Sequence, residues 1–128
     1  MKTWNYGNEI PKAVSYSRHL GVPVLTLNYN LQEVNDEDQG KYRWDSVTLE
    51  PGVVDYGSIV AAIINHEYGS DAMQAIVNNY MLDPDDADAI ATWNTMQLFR
   101  GYAKQIGRDF GAGKLDDADA PKSPFEAE

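Results

Sequence analysis

The chain has 128 residues, 43% hydrophobic and 23% charged, the proportions of one soluble domain around a single core. Asp and Glu total 20 against 10 Lys and Arg, giving a net charge of −10, and such a field repels phosphate, so direct binding to nucleic acid or anionic lipid is not expected. With no cysteine, disulfides, thiolate nucleophiles and zinc–thiolate centres are excluded.

Residues 1–23 carry Trp4, Tyr6 and Tyr16 and read as an N-terminal arm, or as a short helix opened by Pro11 and ended by Gly21. No apolar run near the start resembles a secretory leader, and the longest apolar stretch, residues 59–64, is too short to cross a bilayer. A cytosolic product without membrane association is therefore expected.

From residue 24 the pattern sharpens. Leu25, Leu27, Tyr29 and Leu31 alternate with Thr26, Asn28, Asn30 and Gln32, the period of a half-buried strand. The polar run 35–40 ends in Gly40 and reads as a loop, and Tyr42, Trp44, Val47 and Leu49 mark a second strand. An antiparallel hairpin over residues 24–50 is expected. Two strands are marginal in water, so helices must cover them, with room for a third strand from the N-terminal segment or a second subunit.

Pro51-Gly52 ends the hairpin, and three consecutive helices follow at about 55–67, 70–82 and 84–108. Asp55 caps the first, which has Tyr56, Ile59, Val60, Ile63 and Ile64 on one side and Gly69 to stop it in a left-handed conformation. Ser70 caps the second, where Met73, Ile76, Val77, Tyr80 and Met81 recur at helical spacing. Asp83-Pro84 opens the third, with acids near its positive end, Ala89, Trp93, Met96, Ala103, Ile106 and Phe110 inward, and Arg100, Lys104 and Arg108 in later turns. The expected fold class is α+β, a hairpin packed on three helices, with residues 24–110 as the core. Residues 111–128, rich in Asp and Pro, read as a flexible acidic tail.

Motifs for chemistry fail on spacing. His66-Glu67 starts like a zinc-protease helix, but Ser70 stands where the second histidine is needed. A calcium loop begun at Asp83 would have Asp88 at its obligatory glycine and Asn94 at its final acid; one begun at Asp36 would end on Val47. No serine sits in a nucleophile elbow and no glycine-rich phosphate cradle opens a helix. No catalytic residue, cofactor or metal ligand is assigned, and the chain reads as non-enzymatic. Residues 56–82 could form a helix-turn-helix, yet no Lys or Arg occurs between Arg43 and Arg100 to hold phosphate.

Aromatic rings are the remaining functional signal. Trp4, Tyr6, Tyr29 and Trp44 are candidate anchors for a protein partner, which includes a second copy of the chain. An alternative uses the acids Asp36, Glu37, Asp38, Asp83, Asp85, Asp86 and Asp88 as a phosphate mimic that inhibits a host nucleic-acid-handling protein. A third is a small hydrolase or ligand-binding protein whose site gathers scattered acids.

The run Lys41 to Gly52, Asp55-Tyr56, the Ile63–Tyr68 turn, Ala75 to Tyr80, Met96 to Arg100 and Ala103-Lys104 together resemble small uncharacterised proteins encoded by tailed phages and prophages of gut bacteria. The likeness spans about residues 24–107 and leaves residues 1–23 unmatched. It implies a phage context, in the virion or the host cytoplasm: a tail-associated component, an assembly factor, or an early protein that blocks a host machine. It carries over no catalytic residues.

Overall fold

The structure, a computed structural model, describes residues 3–125. Its described elements are β1 (Asn5–Gly7), β2 (Val14–His19), β3 (Val22–Asp36), β4 (Gly40–Thr48), α1 (Tyr56–Glu67), α2 (Ser70–Leu82) and α3 (Ala87–Gly111). The strands form one antiparallel sheet in the order β1-β4-β3-β2, so the fold is α+β with four strands where the sequence pattern shows two. The N-terminal segment, expected as an arm or short helix or as the source of a third strand, supplies two strands, β1 and β2, which clamp the two edges of the β3–β4 hairpin. Strand β2 joins β3 through the two-residue turn Leu20-Gly21, with φ of 52° and 82°, the geometry that matches the twist of a tight hairpin.

The alternation in β3 does what period two requires. Leu25, Leu27 and Tyr29 point inward, joined by Val47 of β4 and by Leu49 just beyond its end, and all are buried. Trp44 and Tyr42 fall on the other face of β4, because Asp45 and not Trp44 shares a side with Val47 and Leu49. That outer face carries a polar ladder: the Thr26 and Thr48 hydroxyls are hydrogen-bonded at 3.0 Å, and Ser46 bonds both Asn28 and Asn5. Gly40 closes the sheet against β1; a Cβ there would meet the Gly7 backbone at 2.7 Å, and its φ of 145° suits glycine alone.

Helix α1 starts where Asp55 accepts the Ser58 N–H at 3.0 Å, as the sequence indicates. It buries Ile59, Val60 and Ile63 against Phe99, Ala103 and Ile106 of α3, and the two helices approach closely at Gly107, where a Cβ would come 2.9 Å from Tyr56 and Val60 side-chain atoms. Gly69 differs from expectation: at φ −64° it is the extended N-cap of α2 rather than a left-handed stop, and no side chain caps that helix. Helix α3 begins three residues later than Pro84. Asp83 closes a turn by accepting the Asp85 N–H, and Asp86 then takes the cap, accepting from Ala89 at 3.0 Å.

The larger correction concerns the chain after Gly111. Residues 112–125 are packed, not a free acidic tail. Leu115 and Ala120 are buried, and Phe125 stacks on Phe99 with centroids 6.5 Å apart. The Ala118 and Pro121 carbonyls accept from Ala13 and Leu31, while the Ala120 and Ser123 N–H groups donate to Pro11 and Leu31. The segment therefore runs beside residues 11–13 and then beside β3, as a partial extra strand. Backbone pairing holds it where composition alone suggests nothing to bury. The last three residues of the expected tail lie outside the described part.

Candidate functional site

Two regions of the described structure hold residues whose placement the fold does not require, and they differ in kind.

The first is a buried polar node. At Asn30 the β3–β4 register shifts and the backbone turns left-handed, with φ 57°. Asparagine tolerates this conformation better than other non-glycine residues. Its N–H donates to the Tyr102 hydroxyl at 2.8 Å, that hydroxyl donates to the Pro121 carbonyl at 3.1 Å, and its side-chain amide donates to Asp45 Oδ2 at 2.8 Å. Asp45 is 0% exposed, and His66 Nε2 on α1 lies 3.5 Å from its other oxygen, an ion pair when the imidazole is protonated. The Tyr29 hydroxyl and Asn30 Oδ1 are buried with no hydrogen-bond partner among the described residues.

The node shifts its tyrosines upward. Burial, then the Asp45 and Glu67 carboxylates and Tyr102, push the Tyr29 hydroxyl far above the ordinary 10.0. Burial raises Tyr102 as well; the Asn30 N–H pulls the other way and Asp45 adds to the rise. Tyr68 is raised by burial and then Glu67. A carboxylate beside an imidazole is the pairing that orients a general base. Here, however, Asp45 is tied to the strand bulge, and among the described residues no group of three or more His, Cys, Asp or Glu could hold a metal ion. The arrangement ties together β3, β4, α1, α3 and the C-terminal segment. Sequence spacing does not reveal this node, because Asp45 and His66 lie on different elements 21 positions apart. One signal was available: an aspartate in a strand is disfavoured, and Asp45 shares its parity with Val47 and Leu49.

The second region is the α2–α3 hairpin. Helix α2 contains no buried residue, although Met73, Ile76, Val77 and Tyr80 are half-buried against α3. Tyr80 stacks on Trp93 of α3 at 4.7 Å with planes 9° apart. Met81 and Leu82 are 73% and 84% exposed, and Leu98 on α3 is 51% exposed. Between the two helices runs an open cleft of about 340 Å³, with Ile76, Leu82 and Ala89 as its apolar part and Asp83, Asp86 and Asp88 at its edge. The inward side that the helical spacing of α2 suggests is thus a side turned to α3, leaving much of the helix beyond the sheet-covered core.

The residues singled out as partner anchors are dispersed. Tyr29 is 0% exposed and belongs to the core, so it cannot anchor a partner at the surface. Trp4 is half-buried under Arg43, whose guanidinium carbon is 4.3 Å from the ring centroid; Arg43 Nε also donates to Gln32 at 2.8 Å. Tyr6 is half-buried beside it in β1. Trp44 is half-buried on the opposite face, close enough over Gly7 that a Cβ there would meet its ring at 2.9 Å.

The acids likewise fall into two places. Asp36 ends β3 and accepts from Asp38 and Gln39, shaping the turn that also holds Glu37. Asp83, Asp85, Asp86 and Asp88 gather at the α2–α3 turn. The cleft joins three of that second set to the exposed Leu82 and the half-buried Ile76, a combination the sequence pattern leaves hidden. Among the described residues no helix is long and apolar enough to cross a membrane. Comparison with protein-family models, curated proteins and solved structures returns no match to this chain.

Proposed function

We propose that the chain is a non-enzymatic protein–protein interaction module of phage type, a virion-associated or assembly component, and that it contacts its partner through the α2–α3 hairpin. The observation that carries this reading is α2 itself: a helix of thirteen residues that buries none of them and presents Met81 and Leu82 to solvent. A helix of this length gains little from propensity and depends on packing of its apolar face. Exposed large side chains that adjoin one another on a projecting element are the usual mark of a contact surface. The aromatic anchors expected in the sheet region give way to Met81, Leu82 and Leu98.

The test is purification of the tagged chain from its infected host beside a Met81→Ser/Leu82→Ser variant of equal helicity. A partner recovered with the native chain and lost with the variant is the expected result. Identical recoveries from both would remove the hairpin from the proposal.

A second reading, inhibition of a host nucleic-acid-handling protein by phosphate mimicry, draws on the acids at the α2–α3 turn. It predicts that Asp85→Asn/Asp86→Asn abolishes binding while Leu82→Ser leaves it intact.

A further inference from the structure

We infer that the cleft between α2 and α3 receives an amphipathic basic helix of a partner protein, whose Lys or Arg stems lie on Ile76 and Leu82 while the cations face Asp83, Asp86 and Asp88. This rests on the interaction-module reading and adds the chemistry of the occupant. Two consecutive helices with an apolar seam between them form a natural seat for a third. The charges then select what that third helix carries. The hairpin has Asp71, Asp83, Asp85, Asp86 and Asp88 but no lysine or arginine from residue 44 to residue 99.

The backbone points the same way. The C-terminal turn of α2 contains no basic residue, so its negative dipole end is uncompensated beside the cleft. The N-terminus of α3 is already served by Asp86, whose carboxylate accepts from Ala89, and by Asp88 in its first turn. An incoming cation thus meets carboxylates and a helix C-terminus. Long basic side chains suit both parts of the cleft, since their methylene stems pack on apolar surface while their heads stay polar. A second copy seated symmetrically on this face would set the same carboxylates against each other, a like-charge contact that costs affinity.

The experiment uses the full chain and a labelled synthetic helical peptide of about 18 residues, leucines at the i, i+3, i+4, i+7 spacing and lysines elsewhere. Fluorescence anisotropy reads binding, and circular dichroism confirms that each variant is folded. Asp83→Asn/Asp86→Asn/Asp88→Asn keeps side chains able to cap, and it is expected to weaken binding by about tenfold or more and to flatten its salt dependence. Leu82→Ser is expected to weaken binding too, whereas Asp36→Asn/Asp38→Asn at the β3–β4 turn leaves it unchanged. If Leu82→Ser weakens binding and the triple variant does not, the docking face stands and the basic occupant falls. If neither matters, or the β3–β4 turn variant matters equally, both fall. If the chain dimerises, Leu82→Ser abolishes the dimer and the peptide fails to compete, a second copy is the occupant and the inference is overturned.

Discussion

Tyr80 lies flat on Trp93, centroids 4.7 Å apart, and this pair is the aromatic seam that holds α2 to the front half of α3. Because α2 buries no residue, the seam carries an unusual share of its attachment. Replacing Tyr80 by Ala removes a stacking contribution of about 1 kcal/mol along with its packing. Amide exchange across α2 is expected to speed up roughly tenfold or more, while α1 and the β3–β4 core hold their protection. Hydrogen exchange by NMR checks this, and an equal loss everywhere would mean that α2 and the core unfold as one unit.

At the bulge, Asn30 contributes both a left-handed backbone and a bond to Asp45. Asn30→Gly keeps the first and loses the second; Asn30→Ala loses both. The alanine variant is expected to be less stable than the glycine variant by about 1 kcal/mol in urea unfolding. Asp45→Ala strips the acceptor from the buried Asn30 amide and is expected to cost about 1–3 kcal/mol. A loss below about 0.5 kcal/mol would show that the node contributes no stability.

The tyrosines predict an alkaline limit. Tyr29 and Tyr102 are acids whose folded pKa is raised above the ordinary 10.0, so the stability tied to their neutral form is complete below that value. It is lost as pH climbs from there toward the folded pKa. Ultraviolet titration of phenolate should show the exposed tyrosines ionising first, with these two following only as the chain unfolds. Tyr29→Phe should extend the folded range upward.

Removal of the packed C-terminal segment should be costly. Leu115→Ala, in a side chain only 6% exposed, is expected to destabilise by about 2–3 kcal/mol. Phe125→Ala, partly covered and stacked on Phe99, should cost less. A mobile tail would give no change for either in thermal unfolding.

Much of the helical layer is legible from sequence because its signals are local. Asp55 reaches a backbone amide three residues away, and Ile59, Val60 and Ile63 repeat at the helical period. Strand β2 reads as nothing because most of its residues are exposed on both faces, so no alternation is imposed on Ser15, Tyr16, Ser17 and Arg18. Strand β1 is three residues long, too short for a period. The C-terminal segment hides for another reason: its bonds to Pro11, Ala13 and Leu31 join positions far apart in the chain, and Leu115, Ala120 and Phe125 are too sparse to announce burial. The cleft was half visible. Its acids are evident in the sequence, but the exposure of their neighbour Leu82 depends on how α2 packs against α3, which no local pattern states.

Helix α3 has a mechanical consequence. Its rear half is clamped by Phe99, Ala103 and Ile106, whereas the front half, from Ala87 to Trp93, extends past that clamp. At about 1.5 Å per residue, Ile90 stands about 20 Å along the rod from Ala103. The front half is braced by Tyr80 on Trp93, and the same helix continues to Tyr102, whose hydroxyl meets the strand bulge, so one rod joins the α2–α3 cleft to the buried node.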